Sequence, residues 1–236
     1  ADPGDRLVVE IEEIALAQDW GWNAVEPGFG LFPDLARAYE TLIVPLDRAA
    51  GTARLPWGPT VALAPFFGIL AVAPAPESGI VSSVPPGPFG GNVDCRLFCQ
   101  GARITFPVFT QGALFHAGDG HALQGEGEIC DTALETALTG RFRFTLEKGR
   151  APAAPEAECG SVIATFGFDA SLDAAARQAA SRMIDLICRE TPLNRIEASR
   201  HISLCGDLRI TQVVNGTKGV HCLLDRRSLT GIPPRA

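Results

Sequence analysis

The sequence predicts a β-rich α+β fold: short strands through most of the chain, and a helical hairpin late in it. Three observations carry this. Eighteen prolines and 25 glycines among 236 residues interrupt the chain too often for long helices. Apolar residues alternate with period two at Leu7, Val9 and Ile11, and again in RITFPVF (103–109) and RFRFTL (141–146). Only after the Pro/Ala segment RAPAAPEAE (150–158) does the apolar spacing become helical.

In chain order, a strand runs from Leu7 to Ile11 and the turn-rich WGWNAVEPGFG (20–30) follows. VALAPFFGILAVAPAP (61–76) is the most apolar stretch, but Pro65, Gly68, Pro74 and Pro76 interrupt it and it is too short to span a bilayer, so it reads as core. The loops PPGPFGGN (85–92) and HAGDGHALQGEGE (116–128) flank the strand at 103–109. In the strand at 141–146, Phe142, Phe144 and Leu146 should face inward, with Arg141 and Arg143 toward water or a partner. Ser171 N-caps a helix through LDAAARQAASRMIDLICRE, its apolar stripe being Ala176, Ala180, Met183, Ile184 and Ile187. Thr191 caps a second helix with Pro192 at its first position, and Gly206 follows its end. DLRITQVVNGTKGVHCLLD returns to strand, with Asn215 and Gly216 marking a turn. One domain over 1–236 is expected: a β-rich part with the site loops over 1–149, then the helical hairpin and closing strands over 150–236.

The net charge of −7 comes without any run of Lys or Arg, and Lys148 and Lys218 are the only lysines, which argues against nucleic acid and anionic membranes as partners. Seven cysteines, an odd number in a chain too large to need staples, point to reduced structural thiols in the cytoplasm. Cys95 and Cys99 lack the spacing of a zinc knuckle. The chain opens on ADPGDRLVVEIEEI without Met and without a visible signal peptide, so an upstream segment is expected.

Within 116–128 stand His116, Asp119, His121, Gln124, Glu126 and Glu128, separated mainly by glycine and alanine. If this stretch is partly extended, Asp119 and His121 project to one side as an i, i+2 pair, and Glu126 with Glu128 do so after the glycine bend. Imidazole and carboxylates gathered in this way suit a hydrolytic metal site, which also needs an open position and a base. The same residues also suit a glycine-rich turn with exposed acids. Asn92 and Asp94 form another i, i+2 pair behind a double glycine, or else an Asx turn. Other amide-cleaving chemistries fit poorly: neither lysine lies beside a reactive-cysteine motif, GIVSSVPPG (79–87) is a weak match to a Ser-Ser-Lys loop, and no G-x-S-x-G elbow is present.

Four segments, DWGWNAVEPGFGLFPD (19–34), PPGPFGGNVDCR, GALFHAGDGHALQGEGEICDTALET and GDLRITQVVNGTKGVH, together resemble the acetamidase/formamidase family, in order and over nearly the whole chain. The resemblance implies a jelly-roll-like β part with a smaller α/β part, hydrolysis of short amides to carboxylate and ammonia, a divalent metal and a homo-oligomer. Two departures stand out. The family usually has Asp where this chain has Glu126, and its members begin well before the segment that matches residue 1.

Chemistry and position assign Asp119, His121 and Asp94 as metal ligands, with zinc favoured by the mixed imidazole and carboxylate donors. Glu128 is the expected general base, while Asn92 and Gln124 hold the carbonyl oxygen or amide nitrogen of a small amide substrate. His116 and Glu126 stand behind the ligands, although His116 could equally be a plain strand-end histidine; His201 and His221 read as structural. Trp22, Phe29 and Phe89 are expected to wall a small acyl pocket, or else to belong to the core or a subunit interface. A non-catalytic module binding a small polar ligand, and hydrolysis of a cyclic amide, are the competing functions.

Overall fold

The period-two pattern near the N-terminus folds as β1 (Arg6–Leu16), paired antiparallel with β8 (Arg103–Pro107) on one side and β11 (Leu138–Glu147) on the other. The computed structural model describes residues 1–233. Among these, β12 (Glu156–Cys159), β13 (Val162–Asp169), β14 (Gly206–Gln212) and β15 (Lys218–Asp225) extend the sheet in the order β11-β1-β8-β12-β13-β15-β14. This sheet therefore takes strands from both sides of residue 150.

The second sheet uses β2 (Trp20–Val25), β3 (Glu40–Asp47), β4 (Thr52–Arg54), β5 (Thr60–Ala62) and β6 (Phe66–Ala71). With β7 (Gly90–Asn92), β9 (His116–Leu123) and β10 (Leu134–Glu135) it runs β5-β4-β3-β2-β10-β9-β6-β7. Leu7, Val9, Ile11, Ile104, Phe106 and Phe166 of the first sheet share one core with Phe67 and Leu70 of the second. The two sheets thus bury their alternate residues against each other, as a β-rich α+β fold requires. The apolar run at 61–76 is core as expected, and β6 is its most buried strand.

On the other face of the first sheet, α1 (Leu172–Glu190) and α2 (Arg195–Cys205) cover Ile163, Val220, Cys222 and Leu224. Gly167 permits the contact: a Cβ there would stand 2.7 Å from the backbone nitrogen of Ala179 in α1. The buried stripe of α1 is Ala175, Ala179, Met183, Leu186 and Ile187, so the expected alanine positions are displaced by one, while Ala176 and Ile184 lie at its margin. The smaller part is therefore antiparallel strands under a helical hairpin, with no parallel βαβ unit among the described residues.

The second helix starts later than expected. Asn194, not Thr191, is its N-cap, accepting hydrogen bonds from the backbone nitrogens of Ile196 and Glu197 while Glu197 accepts from the Asn194 nitrogen at 2.9 Å. Thr191 instead ends α1 by donating to the Ile187 carbonyl at 2.7 Å. Asn194→Ala should cost about 1 kcal/mol of stability, measurable as a lowered denaturation midpoint at unchanged slope.

The strand at 141–146 also corrects an expectation. Only Phe142 reaches the core, against Phe67 and Phe115 at centroid distances of 5.4 and 5.5 Å. Phe144 and Leu146 are 52% and 40% exposed: β11 is the edge of its sheet, and among the described residues Phe115 covers Phe144 only in part, at 5.1 Å. Arg141 and Arg143 face water as expected and pair with Glu12.

Candidate active site

The site forms where β6, β9 and β10 lie side by side and two loops and a hairpin turn close over them. On β9 the period-two expectation holds: Asp119 and His121 fall on one side, with Asp119 Oδ1 3.2 Å from His121 Nε2. Opposite His121, β10 places Glu135, whose Oε2 is also 3.2 Å from Nε2 and whose Oε1 accepts from the Ala133 nitrogen. Phe66 of β6 stands edge-on to the His121 ring at 4.8 Å and fixes its plane.

Asp94 arrives on the loop after β7. Its backbone nitrogen and that of Val93 both donate to the Gly68 carbonyl at 3.1 Å, and Gln124 Nε2 donates to the Asp94 carbonyl at 2.9 Å. Glu128 arrives on the loop after β9, which is tied to the end of β14 by Gly127 N to Thr211 O and Val213 N to Gly127 O. Asn215, at the β14–β15 turn, donates from Nδ2 to Asp94 Oδ2 at 2.6 Å and to the Asn92 carbonyl at 3.2 Å. Gln212 shapes that turn by accepting from the nitrogens of Val214 and Asn215.

Two overlapping donor groups result, Asp94–His121–Glu128 and Asp119–His121–Glu135, each with its ligand atoms within 4.8 Å of one another. Asp94, Asp119 and Glu128 all have left-handed backbones, with φ of 55°, 57° and 47°. Non-glycine residues held there cost on the order of 1–3 kcal/mol each, and three of them converge on one cluster. Gly68 supplies the space. A Cβ at residue 68 would fall against Asp119 Oδ2, 2.6 Å from Asp94 Oδ1 and 2.9 Å from His121 Cε1.

The cluster is dry and crowded with acids. Burial, then the neighbouring Asp94 charge, pushes Glu128 up to about 10. Burial likewise raises Asp94 to about 7, although the charge on His121 opposes it. Burial disfavours a charged His121, but its hydrogen bonds to the carboxylates of Asp119 and Glu135 overcome this and lift it to about 11. Burial would raise Asp119 too, yet its contact with His121 leaves it below its ordinary value.

The donor set fits a divalent ion. Asp94 Oδ1 and His121 Nδ1 are buried without a hydrogen-bond partner, and oxygen donors with one imidazole suit zinc or a harder divalent metal.

The remaining expected residues are dispersed. Glu126 does not pair with Glu128; it turns to Arg96, 3.5 Å from the Arg96 Nε, because Gly127 redirects the chain between them. Asn92 Oδ1 and Gln124 Oε1 are buried and unpartnered, next to the cluster. His116 is exposed at the start of β9 and lines a separate cavity of about 260 Å³ with Phe89. Phe29 lines another of about 210 Å³. Trp22 lies directly across from Glu135 in the β2–β10 pairing. The cavity against Glu128 is walled by none of the three. His221 is buried, bonded through Nδ1 to Thr211, and burial lowers it to about 4, in keeping with a structural role.

Glu135, Asn215 and Gly68 were not singled out as site residues from the sequence. Glu135 lies at the end of a segment that carries the family resemblance, but no metal-ligand spacing marks it, and the pairing with β9 brings it in. Gly68 carried one signal: a glycine inside a buried strand marks a close approach.

The profile of the Acetamidase/Formamidase family matches residues 78–159, which include Asp94, Asp119, His121, Gln124 and Glu128. The acetamidase of Bacillus halodurans is 31% identical, with a TM-score of 0.89 over 95% of this chain and 74% of its own. This chain belongs to the acetamidase/formamidase family. A predicted acetamidase/formamidase from Thermoanaerobacter tengcongensis is also 31% identical, with a TM-score of 0.92 over 98% of this chain and 75% of its own. The formamidase of Methylophilus methylotrophus is 30% identical over a stretch that covers 55% of this chain. That stretch is 44% of the formamidase, so the match spans less than half the length of this curated relative.

Proposed function

We propose that the protein hydrolyses short aliphatic amides, formamide and acetamide among them, to carboxylate and ammonia with the help of a divalent metal, zinc by its donor set. The observation that carries the reading is the cluster Asp94, Asp119, His121, Glu128 and Glu135, which leaves buried ligand atoms unpartnered around the space kept by Gly68.

Asp94, Asp119 and His121 hold the ion, with Glu135 beside them. The bound cation supplies Lewis acidity to the amide carbonyl and to water. Glu128 acts as the base: it takes a proton as a water oxygen attacks the carbonyl carbon, and returns it to nitrogen as the C–N bond breaks and ammonia leaves. Asn215 positions Asp94 through its 2.6 Å bond, and the Gln124 amide holds the Asp94 backbone. Asn92 and the free end of Gln124 are available to hold the amide group of the substrate.

Among the described residues no helix is long and apolar enough to cross a membrane. An odd number of cysteines in a chain too large to need staples supports a reducing, cytoplasmic setting, and the half-exposed Phe144 and Leu146 on the sheet edge support a homo-oligomer.

Ammonia release from formamide and acetamide should fall to background after prolonged chelation and return with zinc. The chelated protein should also lose thermal stability as pH rises from about 5 to about 9. Glu128, Asp94 and His121 all bind protons more tightly folded than unfolded, so their contribution is present at low pH and fades through about 7 to 11. Activity indifferent to chelation, in a protein without metal by elemental analysis, rules out the metal-dependent mechanism.

A further inference from the structure

We infer that the site carries an apolar acyl subsite large enough for chains of five or six carbons, so that amides such as hexanamide are better substrates than acetamide. The inference rests on the amidase reading above and names the part of the substrate that the cluster itself does not contact.

The observation is a cavity of about 340 Å³ that Glu128 helps to line. Gln124 lines it as well, so the cavity adjoins both the proposed base and the amide expected to hold the substrate. Its walls are aliphatic: Leu42 and Val44 from β3, Leu55, Leu123 at the end of β9, and Leu134 of β10. Trp57 stands at its rim, 69% exposed. Leu123 and Leu134 lie on the two strands that carry Asp119, His121 and Glu135, and Leu42 and Val44 lie on β3 of the same sheet, so one sheet fixes both wall and cluster.

Size decides what fits. The methyl group of acetamide needs about the 30 Å³ that a water molecule takes in the liquid, and leaves most of this space unfilled. A cavity of this volume lies within the roughly 300–1,000 Å³ range of small-molecule sites, which are apolar with a few polar groups at one end. An apolar wall of this extent offers nothing to the carboxamide group, which belongs at Gln124 and Glu128. It rewards the opposite end of the molecule. Full burial of each added methylene is worth about a fourfold gain in affinity, and the wall requires no polar partner from the chain.

The test is a series from acetamide through butanamide to hexanamide. Ammonia release gives kcat/KM with the zinc-loaded protein, and calorimetry gives Kd with the protein as purified. Both should improve along the series, by on the order of a hundredfold from end to end. Leu42→Trp and Leu55→Phe, two independent ways of filling the cavity from partly buried positions, should each cut the hexanamide-to-acetamide ratio at least about tenfold, with melting curves confirming the fold. If acetamide is hydrolysed but kcat/KM and affinity stay flat or fall with chain length, the subsite is wrong and the amidase reading stands. If no amide is hydrolysed yet hexanamide binds more tightly than acetamide in a way that Leu42→Trp removes, the amidase reading fails and the subsite stands. A flat series with a dimer that Trp57→Ser converts to monomer also overturns the inference, since a second copy then covers the cavity.

Discussion

Glu128→Gln is expected to lower kcat for amide hydrolysis at least roughly a hundredfold, the usual worth of a general base, in a protein that keeps its fold. Glutamine preserves the size and most of the polarity of the side chain but cannot accept and return a proton. The position is well determined: Glu128 is 7% exposed, its backbone nitrogen is bonded to the Gly125 carbonyl at 3.2 Å, and its φ is 47°. Because the structure groups Glu128 with Asp94 and His121 at ligand distance, the same side chain is as well placed to hold an ion as to act beside one. Zinc content separates the two roles. A base predicts a variant with wild-type zinc and lost turnover; a ligand predicts loss of both, with Glu135 then left as the carboxylate able to take the proton. Near wild-type turnover refutes the assignment of Glu128 to either.

What the sequence made legible follows from where its periods are strong. β1 could be read because Leu7, Val9 and Ile11 must all enter one core, and Asp119 with His121 because a strand puts i and i+2 on one face. Asp94 was found through the double glycine before it. The period failed where a neighbour decides the outcome. Phe144 and Leu146 have the alternation of buried residues, but a strand cannot announce that it will be an edge. In α1 a stripe of alanines is weakly defined, since small residues sit on either side of the true line of contact, and the packing against Gly167 selected Ala175 and Ala179. Asn194 displaced Thr191 because its capping box with Glu197 satisfies donors at the helix start from both directions. No local spacing marks Glu135 or Asn215 as part of the site: one reaches His121 by strand pairing, the other reaches Asp94 across 121 positions of sequence.

Gly68→Ala tests the site from the side that bears no chemistry of its own. The substitution adds one methyl group to a buried strand, a change that in an ordinary strand favours the extended chain. Here the new Cβ falls against Asp119 Oδ2 and within 2.6 Å of Asp94 Oδ1. Neither acid can retreat cheaply. Asp119 and Asp94 both occupy left-handed backbone, and Asp94 is held by Asn215 and by the bonds of residues 93 and 94 to the Gly68 carbonyl. Relief must therefore come from displacing the two carboxylates that are proposed to bind the ion, and misplacement of such groups by about 1 Å is worth on the order of a hundredfold in rate. Gly68→Ala should lose most of its zinc and at least that much activity. Gly118→Ala is the matched control, because Gly118 lies on β9 next to Asp119 and a Cβ there meets nothing within 4 Å. It should retain zinc and turnover. Wild-type zinc content and turnover in Gly68→Ala, in a protein that melts as the native one does, would mean that Asp94 and Asp119 do not act through the arrangement seen here.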